Sequence, residues 1–256
     1  MKVVILAGGF GTRISEESHL KPKPMIEIGN DPILIHIMKY YAFFGFNDFI
    51  ICLGYKGYIV KEYFNNLHLH LSDVSFDFTS GVKTEFYNSK TYSWKVTLVD
   101  TGMNTMTGGR LKRISNLIKD ENFMITYGDG LSNVHLPTLI DFHLKNNKVL
   151  TLTAVNPEGR FGLLGIKNDR VINFSEKPKS DDGWVNGGFM VANKKLFDYI
   201  KGDETILERT PFETLAKENQ LVAFKHFGFW QPMDTIRDKK LLEELFSSNN
   251  PPWRTE

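Results

Sequence analysis

Val3-Val4-Ile5-Leu6-Ala7-Gly8-Gly9-Phe10-Gly11-Thr12-Arg13 runs from an unbroken apolar tetrad straight into a glycine-rich loop. A tetrad with no polar alternation reads as a strand buried on both faces, the usual state of a strand in a parallel sheet. Three glycines let the backbone approach a ligand more closely than a β-carbon would permit. Backbone N–H groups in such a turn form a concave anion site, and Arg13, Lys21 and Lys23 bring positive charge to the same stretch. A polyphosphate is the guest this chemistry suits. Glycine turns also follow first strands without any ligand, so the loop alone leaves both readings open. Spacing excludes two common phosphate loops. A G-x-G-x-x-G fingerprint would need glycine where Ile14 stands, and no lysine follows a glycine in the P-loop register.

Outward from this loop, the first half alternates helix and strand. Helical spacing or capping predicts helices over 33–44, 58–66, 108–119 and 136–146, and apolar runs predict strands over 48–53, 123–127 and 150–155. That alternation implies an α/β fold: a Rossmann-like mixed, mainly parallel sheet flanked by helices. Residues 67–99, rich in aromatic and β-branched side chains, read as a small inserted β region, a lid or an oligomer contact. In the second half, a hairpin is expected over 165–174, a strand over 185–192, helices over 194–200 and 212–217, a strand over 221–227 and a closing helix over 235–247. With no repeat and no low-complexity linker, residues 1–256 are expected to form one domain.

The formal net charge of +1 excludes a dedicated nucleic-acid surface, which brings a strong basic excess, while allowing a local cluster for a small anion. Cys52 is the single cysteine, so no internal disulfide forms; in the run 49–53 it reads as a buried thiol. No apolar stretch reaches membrane-spanning length and no cleavable signal pattern precedes the first strand, so a cytoplasmic protein without membrane partners is expected.

Several residues could carry chemistry. Asp129, between Gly128 and Gly130 at the end of a predicted strand, is placed where open α/β sheets bind ligands; it reads either as a hard oxygen ligand for Mg²⁺ or as a turn aspartate satisfying backbone donors. Asp234 reads alone as the N-cap or first turn of the last helix. Lys177 suits a solvated turn, and Asn186-Gly187-Gly188 suits either a bulge or the close approach of a sugar ring. Arg110, Lys112 and Arg113 fall in the first turn of the predicted 108–119 helix, against its dipole, as a solvated basic face or an anion site. His68 and His70 would share a strand face but lack further metal-ligand partners, and neither G-x-S-x-G nor H-E-x-x-H occurs.

Gly8-Gly9-Phe10-Gly11-Thr12-Arg13-Ile14 followed by Pro22-Lys23-Pro24-Met25 resembles the two-part signature of the sugar-phosphate nucleotidyltransferases, with Ile14 in place of a usual leucine. The resemblance covers essentially the whole chain and implies their type A-like fold and homo-oligomeric habit. It implies catalytic roles for Arg13 and Lys23. It implies nucleotide contacts from Leu6, Ala7, Gly8, Gly9, Gly11, Thr12, Thr105, Gly109, Arg110, Gly128 and Asp129. Asp129 and Asp234 become joint ligands of Mg²⁺, and Lys177, Asn186 and Gly187 become sugar-phosphate contacts. Gly54-Tyr55-Lys56-Gly57-Tyr58, the segment 106–113 and above all Gly228-Phe229-Trp230-Gln231-Pro232-Met233-Asp234-Thr235 are similar to a cytidylyl-transferring branch, which implies CTP and α-D-glucose 1-phosphate as substrates. A relative using UTP or dTTP, or another sugar phosphate, is the rival within the family. A glycosyltransferase would usually carry D-x-D, whereas Gly130 and Leu131 follow Asp129; a silent sensor would be expected to have lost Arg13, Lys23 or an aspartate.

Overall fold

The computed structural model describes residues 1–14, 19–79, 81–157, 163–167, 170–175, 183–248 and 250–254, with the backbone alone at 13, 163–167 and 170–175. An eight-stranded mixed sheet forms its centre. The strands are β1 (Val3–Leu6), β2 (Asp48–Leu53), β3 (Lys95–Asp100), β4 (Asn122–Tyr127), β5 (Leu150–Val155), β6 (Val185–Asn186), β7 (Met190–Asn193) and β8 (Leu221–His226). β1 lies between β2 and β4, parallel to both, and β3 extends the parallel half beyond β2. β7 then runs antiparallel between β4 and β5, β6 pairs the far end of β5, and β8 takes the other edge of β5 in parallel.

The apolar tetrad alternates between two cores. Val3 and Ile5 pack with Phe49, Ile51 and Met124 on one face, under Leu34, Ile37, Met38 and Tyr41 of helix α1 (Ile33–Phe43). Val4 and Leu6 pack with Ile50, Cys52 and Phe123 on the other, under Leu111, Leu196 and Leu215. Both faces are covered, which is why β1 carries no polar residue; each such side chain contributes about 1.5–3 kcal/mol on burial. The longer helices besides α1 are α2 (Gly57–Asn65), α3 (Thr107–Arg113), α4 (Leu136–Asn146), α5 (Thr210–Lys217) and α6 (Ile236–Ser247).

Four expectations change. α3 stops at Arg113 and a 3₁₀ turn, Ser115–Leu117, follows. Arg110, Lys112 and Arg113 therefore occupy its last turn, where the dipole favours cations. Within 67–99, only Asp73–Asp77 and Lys83–Tyr87 form a separate hairpin, because 95–100 joins the central sheet as β3. Leu67–His70 is a short helix, so the two histidines do not share a strand face. The strand expected over 185–192 breaks into β6 and β7, since Gly188 and Phe189 take left-handed φ values of 73° and 44°. The hairpin expected over 165–174 forms from Leu163–Lys167 and Arg170–Ser175.

Candidate active site

The parallel strands β1, β2, β3 and β4 all end on one side of the sheet, and a cavity of about 670 Å³ opens there. Its walls are the glycine loop after β1, the Lys23–Pro24 turn, the segment 103–107 leading into α3, and Tyr127-Gly128-Asp129 after β4. The expected nucleotide contacts Leu6, Ala7, Gly8, Gly9, Gly11 and Thr12 line it, as do Thr105, Arg110, Gly128 and Asp129. Exposed Phe10, Met103 and Met106 add an apolar rim suited to a flat base.

The glycines serve different ends. A β-carbon on Gly9 would meet nothing within 4 Å, so its absence leaves open room for a ligand. A β-carbon on Gly8 would lie 2.2 Å from an Arg110 guanidinium nitrogen, and one on Gly54 would lie 2.5 Å from the Gly8 carbonyl. These two glycines make space for Arg110 instead. Gly11 supplies the left-handed turn, at φ 66°. Gly109 does not line the cavity: its Cα packs against the Asp203 carbonyl, 2.4 Å from where a β-carbon would stand.

Arg110 is buried, not a solvated basic residue. Its guanidinium donates to the carbonyls of Leu53, Gly102, Gly8 and Met103 and to the Thr101 hydroxyl, at 2.7–3.3 Å. Burial holds it below the usual arginine range, opposed by nearby Cys52 and Asp100. It ties the glycine loop to the ends of β2 and β3.

Lys23 is 8% exposed, and its ammonium sits between two carboxylates, 2.6 Å from Asp129 Oδ2 and 2.7 Å from Asp234 Oδ1. Backbone pairing makes this convergence. Trp230–Pro232 runs antiparallel to Gly130–Ser132, and the Met233 N–H donates to the Asp129 carbonyl at 2.8 Å. The cap of α6 is Thr235, in a capping box with Asp238, not Asp234. The Asp234 N–H joins that box by donating to Asp238, while its carboxylate faces Lys23. The two acids thus meet at one cationic position. Among the described residues no cluster of three or more His, Cys, Asp or Glu forms a metal cage. Two carboxylates nonetheless suit Mg²⁺, which binds through one or two such groups plus phosphates and water.

Asn186 lies beside this cavity, its amide donating to the Tyr127 hydroxyl at 3.1 Å. Gly187 is packed, with Val155 Cγ1 2.9 Å and Trp230 Nε1 3.2 Å from a notional β-carbon. Lys177 lies outside the described residues, and Arg13 is placed by its backbone alone, in a 3₁₀ turn over Thr12–Ile14. Glu208, which accepts from the hydroxyls of Thr107 and Tyr127 at this site, stands in no motif and carries no sequence signal.

The Nucleotidyl transferase family model matches residues 2–235, and the chain belongs to that family. It is 54% identical over 256 residues to a protein of Salmonella typhimurium named glucose-1-phosphate cytidylyltransferase, covering 100% of this chain and 99% of that one. It is 40% identical to a probable glucose-1-phosphate cytidylyltransferase of Bacillus subtilis, covering 99% of each. Among solved structures, HddC from Yersinia pseudotuberculosis superposes with a TM-score of 0.70 at 25% identity, over 96% of this chain and 99% of that one. Enzymes of this family generally use a divalent metal. Among the described residues, no helix is long and apolar enough to cross a membrane.

Proposed function

We infer that the chain transfers the cytidylyl group of CTP to α-D-glucose 1-phosphate, giving CDP-glucose and pyrophosphate. The observation that carries this is 54% identity across the full length of both chains to a glucose-1-phosphate cytidylyltransferase. An oxygen of the sugar phosphate bonds to the α-phosphorus of CTP, and the bond from that phosphorus to the bridging oxygen breaks, so pyrophosphate leaves. The second pKa of a phosphomonoester lies near 6, so roughly nine-tenths of the nucleophile is dianion at pH 7. No general base is required; alignment and charge stabilisation suffice.

The cavity is built for that task. Gly9 and the neighbouring backbone receive the triphosphate, with the apolar rim at the base. Lys23 supplies charge to the phosphates, together with Arg13. Pro22 and Pro24 restrict the backbone on either side of Lys23. Asp129 and Asp234 hold Mg²⁺, which supplies charge neutralisation to the triphosphate when bound. Lys177, Asn186 and Gly187 form the sugar-phosphate side, with Asn186 the member that can hydrogen-bond through its side chain.

A homo-oligomer in the cytoplasm completes the reading. Its supply of nucleoside triphosphate is intracellular. The Asp73–Asp77/Lys83–Tyr87 hairpin sets Val74, Phe76 and Phe86 on one face, with Phe76 and Phe86 exposed, and a lone two-stranded ribbon is marginal in water without a partner.

Pyrophosphate release with glucose 1-phosphate and each of CTP, UTP, dTTP, ATP and GTP tests the assignment. Cytosine offers an amino donor where uracil offers an acceptor. A site that accepts from that amino group leaves an unpaired acceptor when UTP binds. CTP is expected to exceed UTP in kcat/KM by at least roughly tenfold, about 1.4 kcal/mol. Equal use of the two would sink the cytidylyl assignment and leave the nucleotidyltransferase reading standing.

A further inference from the structure

We propose that Glu208 is a positioning residue for the sugar phosphate: it fixes the hydrogen-bond polarity of Tyr127 and, through it, the orientation of the Asn186 amide. This rests on the reading of Asn186 as part of the sugar side. Glu208 stands half-buried just before α5. Each of its oxygens is engaged, Oε1 accepting from the Tyr127 hydroxyl at 2.6 Å and Oε2 from the Thr107 hydroxyl at 2.6 Å. Thr107 Oγ1 also accepts from the Leu207 N–H at 2.9 Å, so its proton is left for Glu208.

A carboxylate only accepts, and a phenol has one proton to give. With that proton committed to Glu208, the Tyr127 oxygen can only accept from Asn186, and the Asn186 Nδ2 stands 3.1 Å away. The other end of the amide is set as well, because Asn186 Oδ1 accepts from the Gly188 N–H at 3.0 Å. Nitrogen and oxygen of the amide are thereby assigned from both sides. One N–H and one acceptor position of Asn186 remain for a sugar hydroxyl.

The surroundings agree with this wiring. Gly188 sits at φ +73°, and a β-carbon there would come within 3.0 Å of the Tyr127 ring. Glycine at 188 therefore lets the ring and Asn186 lie side by side. Thr107 opens α3 on the nucleotide wall and Tyr127 closes β4, so Glu208 joins the nucleotide wall to the sugar side.

Steady-state kinetics in each substrate, on variants whose melting temperature shows them folded, test the proposal. Asn186→Ala, Tyr127→Phe and Glu208→Leu are each expected to raise KM for glucose 1-phosphate about tenfold, equivalent to about 1.4 kcal/mol, with KM for CTP within about twofold. Glu208→Gln keeps a carbonyl acceptor for Tyr127 and is expected to recover most of the loss. The Tyr127→Phe/Glu208→Leu double variant is expected to be no worse than the poorer single one. If Asn186→Ala raises KM for glucose 1-phosphate while Tyr127→Phe and Glu208→Leu do not, the Glu208 relay is refuted and the sugar-side reading stands. If Asn186→Ala leaves that KM unchanged, the sugar-side reading fails and the proposal falls with it. Equal rises for both substrates, or no recovery by Gln, would reduce Glu208 to a structural prop. Should Glu208→Leu not fold, Tyr127→Phe with Glu208→Gln decides the matter alone.

Discussion

Replacing Lys23 by methionine keeps much of the side chain's length and removes its charge. In the native protein the ammonium neutralises Asp129 and Asp234 at 2.6 and 2.7 Å. Two carboxylate oxygens held by one nitrogen lie within about 5 Å of each other, and at an effective dielectric of ~20 two such charges repel by about 3 kcal/mol. The Asp129 side chain is 30% exposed, so solvent screens part of this. A loss of about 1–2 kcal/mol follows, in line with breaking a part-buried ion pair from one side. For a chain of this size that lowers Tm by roughly 2–8 °C. The carboxylate pair in Lys23→Met has lost the Lys23 ammonium, so Mg²⁺ is expected to stabilise the variant more than it stabilises the native protein, where metal competes with that ammonium. Thermal melts of both proteins in EDTA and across an Mg²⁺ series measure this directly, without nucleotide and without turnover. A variant that melts like the native protein in EDTA, and gains no more from Mg²⁺, would refute the reading of Lys23 as the cation seated between two metal ligands. Turnover of the folded variant is expected to fall by on the order of a hundredfold or more, as for loss of a preorganised charge.

Other outcomes follow from the same geometry. EDTA is expected to abolish pyrophosphate release and Mg²⁺ to restore it, with Asp129→Asn and Asp234→Asn each raising the Mg²⁺ requirement. If both act through one ion, the double variant is little worse than the poorer single one, whereas multiplicative losses would separate them. Gly8→Ala drives a methyl to 2.2 Å from Arg110 and is expected to cost about 1–3 kcal/mol in a denaturant melt. Gly9→Ala meets nothing within 4 Å and should melt like the native protein while its Kd for CTP, by calorimetry, rises several-fold. Equal stability of the two glycine variants would contradict the division between the arginine pocket and the ligand face.

Local signals carried much of the fold. The strand at 48–53 and the helix at 136–146 have the bounds their sequence predicts, because an apolar run and a capped amphipathic segment each decide their own conformation. Residues 95–100 resemble the hairpin strands at 73–77 and 83–87 in composition, and only their parallel pairing with β2 puts them in the central sheet. The break at Gly188 and Phe189 was hidden because Phe189 is a bulky residue in left-handed backbone, which no propensity favours. At the site, the glycine loop and Asp129 are visible as motifs beside strand ends. The meeting of Asp129 and Asp234 is implied only by the family resemblance and not by spacing, since it depends on the pairing of Trp230–Pro232 with Gly130–Ser132. Nor does spacing show the reason for Gly8, whose neighbour Arg110 comes from another element and reaches it through the fold. Glu208 was invisible for the same reason: its partners Thr107 and Tyr127 lie far away in sequence.

β4 stands at the seam between the parallel and mixed halves of the sheet, held by β1 on one edge and β7 on the other. The chain is made from its amino terminus, so β1, β2, β3 and β4 can pair before β7 exists. About sixty residues separate the end of β4 from Met190, a wait of roughly 3–12 s at ribosomal rates of about 5–20 residues per second. During that interval the Phe123-Met124-Ile125 edge is an unpaired apolar strand on a nearly complete nucleotide wall. Such an edge is a template for pairing with other chains. The nascent protein therefore carries an exposed pairing edge in the window between its first and second halves.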